Sequence, residues 1–294
     1  MRITISGGSG LIGAELAGAL RSRGDEVTVL SRSGADGTVV WDPLGGPPPA
    51  EALEGREAVV SLAGEPIAQR WTRATREAIR RSRVEGTANL VAGIEACSAP
   101  PRILVSASAV GYYGDRGEES LSEDAAPGPD FLAQLCVQWE RAALEGAGDA
   151  GLRACVLRTG VVLDRRGGAL AKMLPPFRLA AGGPVAGGRQ YMSWIALADL
   201  VAMYLSALDD ERWSGALNAT GPAPARNGEF ARALGRVLHR PAIVPVPGAA
   251  LRLLYGEMAQ IVTDSQNAPP ARALALGFEF RYRELEAALR AALT

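Results

Sequence analysis

Histidine is nearly absent from this chain of 294 residues; the single copy, His239, excludes a metal centre built on imidazoles, and no metal site is expected. Cysteine is scarce as well. Cys97, Cys136 and Cys155 are odd in number and widely spaced, with no Cys-x-x-Cys, so they read as free thiols of a reducing compartment. No run of about 18 apolar residues occurs, which leaves nothing to span a bilayer as a helix. The chain also lacks an opening basic stretch followed by a long apolar one. Arg2-Ile3-Thr4-Ile5 reads directly as a strand, so no signal peptide is expected and the cytoplasm is the expected location. Neither charge is in excess: Lys plus Arg number 31 and Asp plus Glu 32, for a net −1. That balance argues against nucleic acid or an anionic membrane as the main partner. Glycine, by contrast, is abundant at 35 residues, as suits a fold with many tight strand-to-helix turns.

The apolar pattern gives the fold class. Residues 2–6 read as a short buried strand, GGSGLIG (7–13) as a turn, and Leu16, Ala17 and Leu20 as one face of a helix that Gly24 caps. Further strands are expected at Val27–Leu30, Val39–Trp41, Ala58–Leu62, Ile103–Val105 and Ala154–Leu157, with loops through 34–55. A long helix with a strongly basic outer face is expected over 72–97. Strands that are apolar throughout and alternate with helices indicate an α/β protein, a Rossmann doubly wound parallel sheet covered on both faces. After about residue 165 the rhythm breaks up, with Pro-Pro, Gly-Gly and Gly-Pro pairs, a short strand expected at Ile243–Val246, and an amphipathic helix from Arg283. The expected division is a nucleotide-binding domain over 1–165, to which 191–220 returns, and a smaller α+β substrate domain from 166–190 and 221–294.

Gly7, Gly10 and Gly13 stand between the first strand and the first helix, where a dinucleotide's pyrophosphate needs a tight turn, a close backbone approach and close helix–strand packing. The amides of Leu11 and Ile12 with the helix dipole would hold the phosphates, and Ser9 would add a hydroxyl. At the end of the second strand, an Asp or Glu would accept from the ribose of NAD. Ser31-Arg32-Ser33 stands there instead, and a guanidinium among hydroxyls suits the 2′-phosphate of NADP.

The motifs GGSGLIG, SLAGEPI (61–67), SRVEGTANLV (82–91), VSASAVGYYG (105–114), FLAQLCVQWE (131–140), LRTGVVLDRRGGAL (157–170), SWI (193–195) and GFEF (277–280) together resemble the atypical short-chain dehydrogenase/reductases of the epimerase family, relatives of the nucleotide-sugar epimerases. The resemblance implies an extended Rossmann domain with a C-terminal substrate domain, NADP(H) as cofactor and a small-molecule substrate. By position it places Leu62 and Ala63 against the adenosine half and Arg83 toward a cofactor phosphate or ribose. Ser106 and Ser108 come beside the nicotinamide, and Thr159, Gly160 and Val161 flank its carboxamide. Gly64 belongs to the same wall, and Glu65 beside it is expected to hold ribose or substrate hydroxyls.

Enzymes of this superfamily use a Ser together with a Tyr-x-x-x-Lys pair. With Glu140 as register, the tyrosine falls on Leu132 and the lysine on Cys136, and neither can do that chemistry. Two readings therefore stand. One is an oxidoreductase or epimerase with Ser108 positioning a substrate oxygen and a relocated acid, Tyr112 or Tyr113. The other is a non-catalytic NADP-binding sensor or scaffold. Asp115, Glu118, Glu119, Glu123 and Asp124 are expected as a solvated acidic lid. The segment Arg189–Trp194 is expected to line a small-molecule pocket, and the protein to be a monomer or homodimer.

Overall fold

The computed structural model describes residues 1–34 and 37–294; residues 35–36, inside the expected loop, lie outside it. Eleven named strands run β1 Arg2–Ser6, β2 Glu26–Ser31, β3 Thr38–Val40, β4 Ala58–Ser61, β5 Ile103–Ala109, β6 Arg153–Thr159, β7 Val161–Leu163, β8 Tyr191–Met192, β9 Trp194–Ala196, β10 Gly215–Ala219 and β11 Ala225–Arg226. The α-helices are α1 Leu11–Ser22, α2 Arg73–Glu95, α3 Phe131–Asp149, α4 Gly168–Arg178, α5 Leu197–Asp209, α6 Asn227–Leu238, α7 Gly248–Tyr255, α8 Gln260–Thr263, α9 Ala271–Ala275 and α10 Leu285–Leu293.

Seven strands form one parallel sheet in the order β10-β6-β5-β4-β1-β2-β3. This is the doubly wound Rossmann arrangement. Alternate residues of each central strand feed opposite faces: Ile3, Ile5, Val105, Cys155 and Leu157 pack with α1 and α5, while Leu104 and Val156 pack with α2 and α3. Burial on both faces is why these strands are apolar without alternation. β10 belongs to the stretch between 191 and 220 and pairs with β6 residue for residue, Ala219 beside Thr159.

A second apolar cluster gathers Leu170, Leu174, Trp194, Phe230, Leu234 and Leu289 from α4, β9, α6 and α10. Here one expected element is corrected. Ile243–Val246 is not a strand; only an isolated bridge joins Val185 to Val246. Pro241, Pro245 and Pro247 have no N–H to give, and the available amides of Val244 and Val246 donate to Gly182 and Pro184 carbonyls. Among the described residues no helix is long and apolar enough to cross a membrane.

Candidate functional site

The turn after β1 opens a cavity of about 670 Å³ at the C-terminal ends of β1, β2 and β4. Gly7, Ser9 and Gly10 form its floor, Ser31, Arg32 and Ser33 one side, and Leu62, Ala63, Gly64 and Glu65 the other. Two glycines are required by close packing. Gly7 has φ +74°, and a Cβ on it would fall 2.7 Å from the carbonyl carbon of Leu62; a Cβ on Gly13 would fall 2.3 Å from the Gly7 oxygen. The turn is therefore pressed against the β4 end on one side and against the helix start on the other.

α1 begins at Gly10 with no side-chain cap and no acidic residue in its first turn. The amides of that turn, at Leu11 and Ile12, keep the open positive end that a phosphate favours, while both side chains pack into the main core. Arg32 is exposed and, among the described residues, has no carboxylate partner. The sequence reading missed the outer wall, Trp41, Asp42, Pro43 and Leu44, together with Ala78 and Ser82 of α2. Trp41 is fixed by its indole N–H donating to the Gly46 carbonyl at 2.9 Å. Only the aromatic within an otherwise polar, Gly/Pro-rich stretch hinted at this wall.

The β5–β6 side is built differently. Ser108, Arg158 and Asn218 stand in register across β5, β6 and β10. Ser108 Oγ donates to Glu140 Oε1 at 2.6 Å. Glu140 is gripped by Arg158 through Nε–Oε1 and Nη2–Oε2 contacts of 2.9 and 2.8 Å. Arg158 Nη1 donates to Tyr113 Oη and to the Glu123 carbonyl, both at 3.0 Å, and Tyr113 donates to Asn218 Oδ1 at 2.7 Å. Burial opposes the Arg158 charge, but the bonds and charge of Glu140 outweigh it and hold the guanidinium above the ordinary arginine value.

Several expectations change here. Tyr113 does not fit an acid that reaches a substrate: it is fully buried, its hydroxyl is engaged by Asn218 and Arg158, and burial pushes its pKa up to about 12. Tyr112 is half-buried, with the Arg158 guanidinium 3.5 Å from its ring centroid. Ser106 is buried and donates to its neighbour's carbonyl, at Ala107. The amides of Gly160 and Val161 donate to the Ala219 and Ser193 carbonyls, which leaves the expectation that these residues flank a carboxamide as it stood. Glu123 is no part of a solvated lid: it is buried and accepts from the amides of Asn218 and Arg272. Ser193 and Trp194 of the expected pocket segment are likewise buried, donating to Gln266 and Ala223 carbonyls.

Leu132 and Cys136, at the tyrosine and lysine registers, are both buried on α3. Burial, with the Glu140 charge nearby, pushes the Cys136 thiol up to about 12, so it stays neutral.

A glycine turn on a Rossmann sheet, opening on a helix N-terminus and flanked by an arginine at the β2 end, defines a nucleotide-binding protein of the doubly wound class. Residues 3–218 match the NAD dependent epimerase/dehydratase family, and residues 246–292 a domain of unknown function, DUF1731. The chain belongs to that epimerase/dehydratase family. It is 40% identical to the chloroplastic Epimerase family protein SDR39U1 homolog of Arabidopsis thaliana over 99% of this chain and 86% of the relative. It is 38% identical to human Epimerase family protein SDR39U1, with 99% of each covered. The crystal structure of the human protein (isoform 2) with NADPH superimposes with a TM-score of 0.92 at 37% identity, covering 99% of both chains.

Proposed function

We propose that this chain binds NADP(H) along the C-terminal edge of the sheet and acts on a small oxygenated substrate as an oxidoreductase or epimerase. The observation that carries the reading is the placement of Arg32, with Ser31 and Ser33, on the wall of the cavity floored by Gly7, Ser9 and Gly10. Guanidinium and hydroxyl groups at that point match a 2′-phosphate. The human relative crystallised with NADPH agrees with this choice of cofactor. The segments 166–190 and 221–294 are the proposed substrate domain.

When bound, the nicotinamide gives or takes the hydride. The chain's own groups then have limited parts. Ser108, whose proton is directed at Glu140, is the proposed acceptor that orients a substrate hydroxyl. Tyr112, the tyrosine of the pair with exposed surface, is the proposed acid. Glu140 and Arg158 hold Ser108 and the Tyr112 ring in place. The buried Leu132 and Cys136 favour the second reading, a sensor that binds NADP and transfers nothing.

Titration of the purified chain with NADPH and NADH tests the cofactor assignment. A preference for NADPH is expected, falling by about ten-fold or more in Arg32→Ala, the loss of one charge-assisted phosphate contact. Equal or absent binding of the two nucleotides would sink it. Oxidation of NADPH with any member of a carbonyl and nucleotide-sugar panel separates enzyme from sensor.

A further inference from the structure

The exposed side of α6 carries arginines. Arg232 and Arg236 stand one turn apart, about 6 Å along the helix axis, and the chain beyond the helix doubles back so that His239 and Arg240 join them. Local geometry builds this return. His239 takes the left-handed conformation, φ +52°, that ends the helix, and the Arg240 amide then donates to the Gly235 carbonyl at 2.9 Å. A Cβ on Gly235 would fall 2.7 Å from the Ala242 Cβ and 2.8 Å from the Arg240 oxygen, so only glycine lets the returning chain lie this close. The result is a surface cavity of about 570 Å³ lined by the three arginines and the histidine, with no carboxylate among its described lining residues.

Arginines on α2 are answered by carboxylates: Arg76 pairs with Glu257, and Arg80 with Glu77 and Glu85. Those on α6 are largely not. Arg232 has neither a hydrogen-bond nor an ion-pair partner among the described residues. Arg240 donates from Nε to the Arg178 carbonyl at 3.2 Å and from Nη1 to the His239 carbonyl at 3.5 Å, contacts that hold the guanidinium without neutralising it. Arg236 meets Glu286 of α10, which accepts from its Nε at 2.8 Å and is shared with Arg290. The dipole at a helix C-terminus favours a cation in the last turn, which accounts for Arg236. It does not account for Arg232 a turn earlier, nor for the convergence of three guanidinia on one cavity. Like charges so placed repel one another, and an anion between them turns that repulsion into attraction.

We propose that this cavity is a second anion site, separate from the first, and that it takes a chain of linked phosphates, carried by a nucleoside triphosphate or by inorganic polyphosphate. It shares no residue with the cavity of Gly7 and Arg32, so it stands independently of the NADP(H) reading. The planar fork of a guanidinium matches phosphate oxygens two at a time. Because the arginines are spread along the helix and its return, a single phosphate cannot engage all of them, whereas linked phosphates present oxygens in series. Ile243 of the same lining is 78% exposed and offers an apolar surface for a nucleobase.

The full chain is titrated calorimetrically at low salt with sodium tripolyphosphate and with ATP. Arg232→Gln and Arg240→Gln are each expected to weaken tripolyphosphate by about three-fold to ten-fold, and the double variant by more. Arg232→Lys, which keeps the charge and loses the fork, falls between Arg232→Gln and the wild type. Arg32→Ala leaves tripolyphosphate within about two-fold, and the α6 variants leave NADPH within about two-fold. For ATP, the binding that the double variant removes is the binding at this site. ATP tighter than tripolyphosphate there, with the excess lost in Ile243→Ser, supports the site with a nucleotide as the source of the phosphates; equal affinities support it with inorganic polyphosphate. No binding of either probe at about 1 mM overturns the proposal. So does binding that falls in Arg32→Ala and not in the α6 variants, which places the anion in the glycine turn. Hexaglutamate bound as tightly as tripolyphosphate overturns the phosphate assignment, since charge alone is then recognised. Thermal melts establish that each variant is folded; where the double variant is not, the single variants make the same comparison.

Discussion

At the β1–β2 side of the cleft the groups facing the cavity are a glycine turn, an open helix start, serines and an arginine exposed to water. At the β5–β6 side the polar side chains are already engaged with one another: Ser108 with Glu140, Glu140 with Arg158, Arg158 with Tyr113, and Tyr113 with Asn218. The first region is organised to receive a ligand and contributes little to its own stability. The second is organised to hold the sheet, the loop after β5 and α3 together, and it leaves few groups for chemistry. One sheet edge thus presents open, anion-facing groups on one side and a closed network of buried polar side chains on the other.

The comparison breaks most visibly if the buried pair is cut. Arg158→Met leaves Glu140 buried without its partner, and about 3–5 kcal/mol of stability, on the order of 10 °C in Tm, is expected to be lost. The double variant Glu140→Leu/Arg158→Met is expected to recover most of that loss, because no charge is then stranded. A single variant that melts with the wild type would mean that the network is not structural.

A sharper version concerns Tyr112. On any substrate that the panel yields, Tyr112→Phe is expected to lower turnover by about 100-fold or more, with NADPH affinity unchanged. Ser108→Ala is expected to lower it less. Full turnover in both would remove the proposed acid and the proposed oxygen-positioning group together.

The smallest effect is a pH dependence at the mouth of the same side. Burial, with Asp115 and Asp130 nearby, pushes Asp264 from 3.8 up to about 6, and Arg252 offsets only part of this. The folded state therefore holds the proton more tightly than the unfolded one. Stability is full below the ordinary carboxylate range and falls as pH rises through about 6. Asp264→Asn is expected to raise Tm at pH 7 by roughly 2–4 °C, after discounting for exposure to water, and to leave it unchanged at pH 4. Equal melting of variant and wild type across that range would contradict the shift.

The Rossmann sheet was legible because each signal is local. Ile3 and Ile5 around Thr4, followed at once by Gly7, Gly10 and Gly13, carry strand, turn and helix start within a short stretch of chain. Trp41–Leu44 was not legible as a wall, because its role depends on β3 lying beside β2 at the sheet edge. The error at Ile243–Val246 has a different cause: apolar residues suggested a strand, but with Pro245 and Pro247 only the Val244 and Val246 amides pair, and the pairing stops at an isolated bridge.

By itself, then, the sequence determined the alternation of buried strands and helices, the phosphate turn and the absence of a Tyr-x-x-x-Lys pair, since each is a property of neighbouring residues. Tertiary structure decided which polar residues are free. Tyr113 and Asn218 are 105 positions apart and Ser108 and Glu140 are 32 apart, yet each pair shares a buried hydrogen bond. Arg83 is set beside Gly64 and Trp139, donates to the Glu65 carbonyl and, among the described residues, forms no ion pair with a carboxylate. Whether a charged group is spent on structure or kept for a ligand depends on what the packed chain places beside it, and no spacing along the sequence encodes that.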